Sequence, residues 1–203
     1  MGELVVTEFL TLDGVAQAPG GPDEDRASGF EHGGWQAPLI DESSGTAIFE
    51  GARDMDALLL GRRTYEIFAA YWPTGPAQSP FTELMNRVPK YVASGTLREP
   101  LSWRSSTLLD GDVADAVTRL KQRHDRVHVI GSLDLTQTLL RSQLVDRLEL
   151  WLYPITLGNG KRLFDDGTVP TRFRLRESAP YPGGAVHLSY ERTGTPTYGT
   201  MGA

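Results

Sequence analysis

The feature that most constrains this chain is a repeated change of hydrophobic period. Short apolar runs stop at a glycine or serine, and helix-like spacing follows. Residues 57–60 stop at Gly61, and a helix is expected over 64–71. Residues 90–93 stop at Ser94-Gly95. Residues 127–130 stop at Gly131-Ser132, and Leu135, Leu139 and Leu140 come next at helical spacing. Such runs have no polar phase and are too short for a buried helix, so they read as strands covered on both sides. Strands alternating with helices imply a mainly parallel sheet with helices on both faces. Beyond about residue 145 the period becomes two. Leu148, Leu150 and Leu152 alternate with Glu149, Trp151 and Tyr153; Phe173 and Leu175 alternate with arginines; Val186, Leu188 and Tyr190 alternate with His187, Ser189 and Glu191. These are expected to be antiparallel strands added to the sheet edge, the last two joined by a turn at 180–184. Trp151 and Tyr153 then face away from the leucines, under a helix or in a subunit contact, and His187 points outward.

The other elements follow from local signals. A first strand is expected over 4–10, followed by Thr11-Leu12-Asp13-Gly14-Val15. Residues 16–38, rich in Gly, Pro and acids, read as a long loop of the kind that forms lids or binding loops. Helices are expected over 44–55 and 81–86, and a short strand around Thr107. Asp112 is a good N-cap for a helix carrying Val113, Val117 and Leu120, with Asp115 and Arg119 as an i,i+4 pair. No linker or repeat divides the chain. We expect one domain over 1–192 and a flexible tail over 193–203.

Composition narrows the function. The 203 residues carry a net charge of −6, which argues against a nucleic-acid partner and fits a small-molecule one. Without cysteine there is no disulfide, thiolate metal site or cysteine nucleophile. No apolar run approaches the roughly 20 residues of a membrane helix, and the acidic, strand-like start is unlike a signal peptide. A cytoplasmic location is expected. Of the 20 basic residues, 17 are arginine, so a single arginine is a weak signal here.

Several motifs can be set aside. No G-x-G-x-x-G follows a strand, and no G-x-S-x-G elbow is present. Gly158-Asn159-Gly160-Lys161 has the wrong spacing for a P-loop, and no hydroxyl residue follows the lysine. His124 and His128 have helical metal-pair spacing, but His128 already lies in a strand, so no metal site is assigned. The loop acids Asp23, Glu24, Asp25 and Glu31 leave room for carboxylate hydrolysis, although a solvated loop explains them as well. What remains are three strand ends: Gly61-Arg62-Arg63-Thr64, Ser94-Gly95-Thr96 and Gly131-Ser132. Ligands of parallel sheets bind at the strands' carboxyl ends. Small residues, hydroxyls and helix N-termini at three neighbouring exits suit a ligand with several phosphates. Arginine adds bidentate capture of phosphate oxygens, and Arg62 and Arg63 oppose the helix macrodipole unless an anion is near.

These residues resemble a known family. Gly61-Arg62-Arg63-Thr64-Tyr65-Glu66 is similar to the dihydrofolate reductase superfamily motif that opens a helix against NADPH. Leu12-Asp13-Gly14-Val15 resembles its first-loop motif, and Val129-Ile130-Gly131-Ser132 occupies the place of its Gly-Gly turn. The segment from Leu152 to Gly160, with Leu163-Phe164, is similar to a signature of the reductase domain of the bacterial riboflavin-biosynthesis deaminase-reductase, especially its stand-alone relatives. The resemblance spans roughly residues 3–192. It implies a dihydrofolate-reductase-like three-layer α/β/α sandwich whose mostly parallel sheet ends in antiparallel strands. It also implies NADPH as cofactor, with Gly61, Arg62, Arg63 and Thr64 at the pyrophosphate and adenosine-side phosphates. Ser94, Gly95 and Thr96 would lie near the adenosine ribose and its 2′-phosphate. Gly131, Ser132 and Leu133 would also meet the pyrophosphate, and Asp13, Gly14 and Val15 would line the nicotinamide side. Related domains pair through the added strands, so a homodimer is expected. Two departures stand out. Relatives commonly carry Gly-Gly with a cis peptide where this chain has Gly131-Ser132, and no acid among Asp23, Asp25, Glu31, Asp41 and Glu42 can be placed facing a substrate. Asp25, His32 and Trp35 are the catalytic candidates, His32 as a proton donor and Trp35 as an aromatic wall. The expected activity is NADPH-dependent reduction of a small planar heterocyclic or carbonyl/imine substrate. The alternative is a non-catalytic dimeric nucleotide-binding protein on the same fold.

Overall fold

The strands expected from unbroken apolar runs are fully covered: Leu58, Leu59, Leu60, Val127 and Val129 have no exposed surface. The computed structural model describes residues 1–202. Its order is β1 (Glu3–Thr11), α1 (Glu42–Ala52), β2 (Ala57–Gly61), α2 (Arg62–Tyr71), α3 (Pro80–Arg87), β3 (Lys90–Ala93), β4 (Ser106–Leu108), α4 (Val113–Arg123), β5 (Arg126–Ile130), α5 (Leu133–Arg141), β6 (Arg147–Tyr153), β7 (Arg172–Pro180) and β8 (Val186–Gly194). The strands form one sheet in the order β4-β3-β2-β5-β1-β6-β8-β7. The first six run parallel to their neighbours, and β8 runs antiparallel to β6 and β7. This is the mostly parallel sheet with antiparallel C-terminal strands that the resemblance implied.

Helices cover both faces. On one, Val117 and Leu120 of α4 and Leu139 of α5 pack on Leu4, Val6, Leu59 and Val129. On the other, Ala52 of α1, Tyr65 of α2 and Met85 of α3 pack on Leu58, Leu60 and Val92. A third cluster joins Val15, Phe30 and Trp35 of the long first loop to Trp151 and Tyr153 of β6, beside Ile48 of α1. Trp151 and Tyr153 therefore lie beneath a helix and a loop. After β1 the chain turns to the α1 face, whereas after β5 it turns to the α5 face. These adjacent strands part at their carboxyl ends, and a crevice opens there.

Several local details differ from the expectation. α1 begins at Glu42 rather than 44, because Asp41 and Ser44 form a reciprocal capping box. Arg119 donates to the Asp110 carbonyl at 3.2 Å rather than pairing with Asp115. His187 does not point into solvent: it stacks on Trp151 at 4.6 Å and meets Glu149 at 2.7 Å. β8 continues to Gly194, where Thr193 Oγ1 donates to the Arg172 carbonyl at 3.1 Å. Ala203, in the expected tail, lies outside the described residues.

Leu139 is wholly buried and anchors α5, so Leu139→Ala should cost about 2–5 kcal/mol in urea unfolding, with little relaxation of the cavity.

Candidate functional site

The three strand exits are neighbours. β3, β2 and β5 are consecutive in the sheet, and Gly61 lies in register with Ala93. Together they border a cleft of about 800 Å³ along the carboxyl edge. Gly61, Arg62, Arg63, Thr64, Ser94, Gly95, Thr96, Gly131, Ser132 and Leu133 all line it.

Two of the exits are tied to each other. Gly61 N–H donates to Ser132 Oγ at 3.0 Å, and Ser132 N–H donates to Thr64 Oγ1 at 3.1 Å. Gly131 N–H donates to the Thr7 carbonyl at 3.1 Å, fixing the same turn to β1. The turn is tight: Gly131 has φ +63° and Ser132 has φ 62°, ψ 45°. The left-handed conformation costs a non-glycine residue about 1–2 kcal/mol, and the two cross-bonds of Ser132 offset it. The Gly131-Ser132 peptide is trans, in contrast to the cis bond common in relatives; among the described residues the cis bond is Glu99-Pro100.

Helix capping separates this edge from the rest of the molecule. α1, α3 and α4 begin with Asp41, Ser79 and Asp112, whose side chains accept first-turn N–H bonds. α2 and α5 begin with Gly61 and Ser132 and have no side-chain cap. Both of these helices open onto the cleft, where their free N–H groups and positive dipole ends favour an anion. The glycines leave room for one. A Cβ on Gly95 would meet nothing within 4 Å, and on Gly61 its nearest neighbours would be 3.6 Å away. The protein's own packing requires no glycine at either position.

The cations of the cleft are held by acids. Arg62 pairs with Glu66 at 3.1 Å, and Arg63 with Asp25 at 2.9 Å. Lys161 also meets Asp25, at 2.7 Å. Burial pushes the Asp25 carboxyl up, but the Lys161 hydrogen bond, the Ala27 amide and the Lys161 and Arg63 charges outweigh it and hold it below the usual range. Asp25 is thus an ionised clamp rather than a stored proton.

Other expected site residues lie elsewhere. Asp13, Gly14 and Val15 are not in the lining, which passes from Phe9 directly to Ala16. Thr11 Oγ1 accepts from Val15 N–H at 2.9 Å, and Val15 is buried against the Trp35 cluster. Asp13 accepts from Thr11 Oγ1 at 2.6 Å and Gly158 N–H at 2.8 Å, bonds that hold its carboxyl low. The 158–161 turn thus spends a backbone amide on the chain's own acid. His32 is exposed, edge-on to Phe30, and Trp35 is buried with its Nε1–H donated to the Gln17 carbonyl at 2.8 Å; neither lines the cleft. Of the three catalytic candidates only Asp25 does. Asp23 pairs with Arg26, and Asp41 caps α1 and accepts from Gly183 N–H.

With this geometry in place, the sequence itself matches the description "RibD C-terminal domain" over residues 3–187. The chain belongs to the RibD C-terminal domain family. It is 26% identical over 162 residues to the uncharacterized protein YyaP of Bacillus subtilis strain 168, covering 77% of this chain and 83% of YyaP. Its fold is similar to that of a pyrimidine reductase-like protein from Corynebacterium diphtheriae, with a TM-score of 0.63, 15% identity and coverage of 95% and 92% of the two chains. It is also similar to dihydrofolate reductase from Enterococcus faecalis in complex with NADP(H) and RAB-propyl, with a TM-score of 0.60, 11% identity and coverage of 94% and 96%. These likenesses are of fold.

In this RibD C-terminal domain, the sequence did not single out Glu8 as a lining residue. Glu8 sits in the middle of β1, 2% exposed, beneath α5 and within 3.4 Å of Thr136 Oγ1. Burial pushes its carboxyl up to about 8, with the Thr136 hydrogen bond only partly opposing this. A signal was present: a lone acid inside the apolar run Val5-Val6-Thr7-Glu8-Phe9-Leu10. Its titration makes stability fall with pH. From 4.5 to about 8 the unfolded chain releases the Glu8 proton while the folded chain keeps it. The loss should be on the order of 3–5 kcal/mol across that window. Glu8→Gln should remove that slope, which urea unfolding of both proteins at pH 5 and pH 8 would measure. Equal slopes would refute an unusually basic Glu8.

Proposed function

We propose that this RibD C-terminal domain protein is an NADPH-dependent reductase that transfers hydride to a small planar heterocyclic or carbonyl/imine substrate. The observation that carries the reading is the pair of uncapped helix N-termini, α2 and α5, locked side by side on one cleft. Their free N–H groups suit a pyrophosphate, and Ser94, Gly95 and Thr96 lie along the same edge for an adenosine ribose phosphate. Family membership and the NADP(H) named in the dihydrofolate reductase complex support the choice of dinucleotide. Bound there, NADPH would supply the hydride. The chain's part is to orient it, exclude water and hold the phosphates.

Arg62 and Arg63 would exchange Glu66 and Asp25 for phosphate oxygens. Both pairs are partly exposed, and such pairs contribute only about 0–1 kcal/mol, so a phosphate can compete. The two exchanges are unequal, because Asp25 keeps Lys161 as a partner when Arg63 leaves.

Fluorescence titration should show NADPH binding at sub-millimolar concentration, and its absence would remove the cofactor assignment. Gly95→Val should weaken binding by about tenfold yet leave stability within about 0.5 kcal/mol, since the added atoms enter open space. Arg62→Ala and Arg63→Ala should weaken NADPH binding to different extents; equal small losses would indicate a diffuse charge effect. NADPH oxidation across a panel of pterins, quinones and carbonyl compounds would separate a reductase from a non-catalytic nucleotide binder.

A further inference from the structure

The cleft has two chemically different halves. The half beside Gly61, Gly95 and Ser132 is built from backbone amides, hydroxyls and arginines. The other lies between β1, α1, α2 and α3, and its walls are Phe9, Ile48, Phe68, Trp72, Phe81 and Met85. Phe68 and Phe81 meet Trp72 edge to face at 6.1 and 5.2 Å, which fixes the rings. α1 lines this half with Ile48 and Ala52, and α3 with Phe81 and Met85, so neither helix offers it a charge. Its polar groups are Thr7, Gln36 and the indole N–H of Trp72. Gln36 already donates to Tyr153 Oη at 2.7 Å, and the buried Trp72 Nε1 has no partner, a single donor that one carbonyl oxygen would satisfy. The cations of the cleft lie on the first turn of α2 and the loop after β6, each engaged by an acid.

These walls discriminate among substrates. A pterin or aminopyrimidine carries several ring N–H, amino and carbonyl groups, and each left unpaired on burial costs about 1–3 kcal/mol. A ribose phosphate would set a dianion against hydrocarbon. A flat, uncharged, mostly apolar molecule instead covers half-buried rings that otherwise face water.

The geometry points to an uncharged, flat, quinone-type carbonyl compound as the substrate of this half. This narrows the proposed function and rests on the dinucleotide reading of the other half. In the step, the substrate takes a hydride from C4 of the dihydronicotinamide and a proton from water. Its quinone carbonyls become hydroxyls, and NADPH becomes NADP⁺. Water returns hydroxide, which the buffer neutralises.

The test is two independent titrations of the full chain. NADPH is followed by its own fluorescence. 2-Methyl-1,4-naphthoquinone is followed by quenching of tryptophan emission, with 6-methylpterin and ribose 5-phosphate as competitors. The quinone should bind at least about tenfold more tightly than either competitor and should be reduced at the expense of NADPH. Phe68→Ala and Ile48→Asp should each weaken quinone binding by about tenfold while NADPH affinity changes by less than about twofold. Circular dichroism of each variant identifies a folding failure, and the other variant then decides. Tighter binding of the pterin or ribose phosphate overturns the substrate class and leaves the cofactor reading intact. Quinone binding without NADPH binding overturns the cofactor reading and the hydride step. Quinone affinity unmoved by either folded variant overturns the assigned location.

Discussion

The site depends on the cross-bonding of two turns. Gly61 N–H meets Ser132 Oγ, and Ser132 N–H meets Thr64 Oγ1, so the start of α2 and the start of α5 are held as one unit. Neither turn is stable in this shape for local reasons alone. Ser132 occupies a left-handed conformation that its side chain disfavours, and it remains there because the neighbouring turn satisfies both its amide and its hydroxyl. Two helix dipoles are thereby directed at the same cleft, and the Ser132 hydroxyl is spent on the lock rather than on capping α5.

Charge arrangement around the cleft follows from that geometry. The positive ends of α2 and α5 open onto a lining in which Arg62, Arg63 and Lys161 are set against Glu24, Asp25 and Asp134, in a chain of net charge −6. Asp25 brings an anion from the long first loop, and by binding Arg63 and Lys161 together it joins that loop, α2 and the segment after β6. The low proton affinity of Asp25 and the high one of Glu8 have opposite causes. Asp25 is surrounded by cations, whereas Glu8 is enclosed by strand, helix and a single hydroxyl.

What could be read in advance divides by range. Gly61, Ser94, Gly95, Gly131 and Ser132 were legible because a strand exit is a local event: an apolar run meets residues that end it. Asp13, Gly14 and Val15 lie outside the lining, because the Thr11 hydroxyl closes that turn inward and a long-range bond from Gly158 holds Asp13 there, which no local pattern announces. His32 and Trp35 lie in a loop without period, where nothing local says which ring enters the core. Trp35 does so because Gln17 and Tyr153 receive it. Phe9, Ile48 and the pair Phe68 and Trp72 lie far apart in the sequence, and only their convergence gives the cleft an apolar half.

By itself the sequence determined the layered α/β architecture, the change to antiparallel strands near the end, and the three exits rich in small residues. These are consequences of hydrophobic period and of residues that stop a strand, both encoded over a few positions. Tertiary structure decided which acids hold which arginines, that Glu8 is sealed beneath α5, and that one half of the cleft is uncharged. Those outcomes depend on contacts between residues far apart in the chain, such as Thr136 with Glu8 and Arg63 with Asp25. Burial and charge pairing are properties of the assembled sheet and helices, and no local pattern carries them.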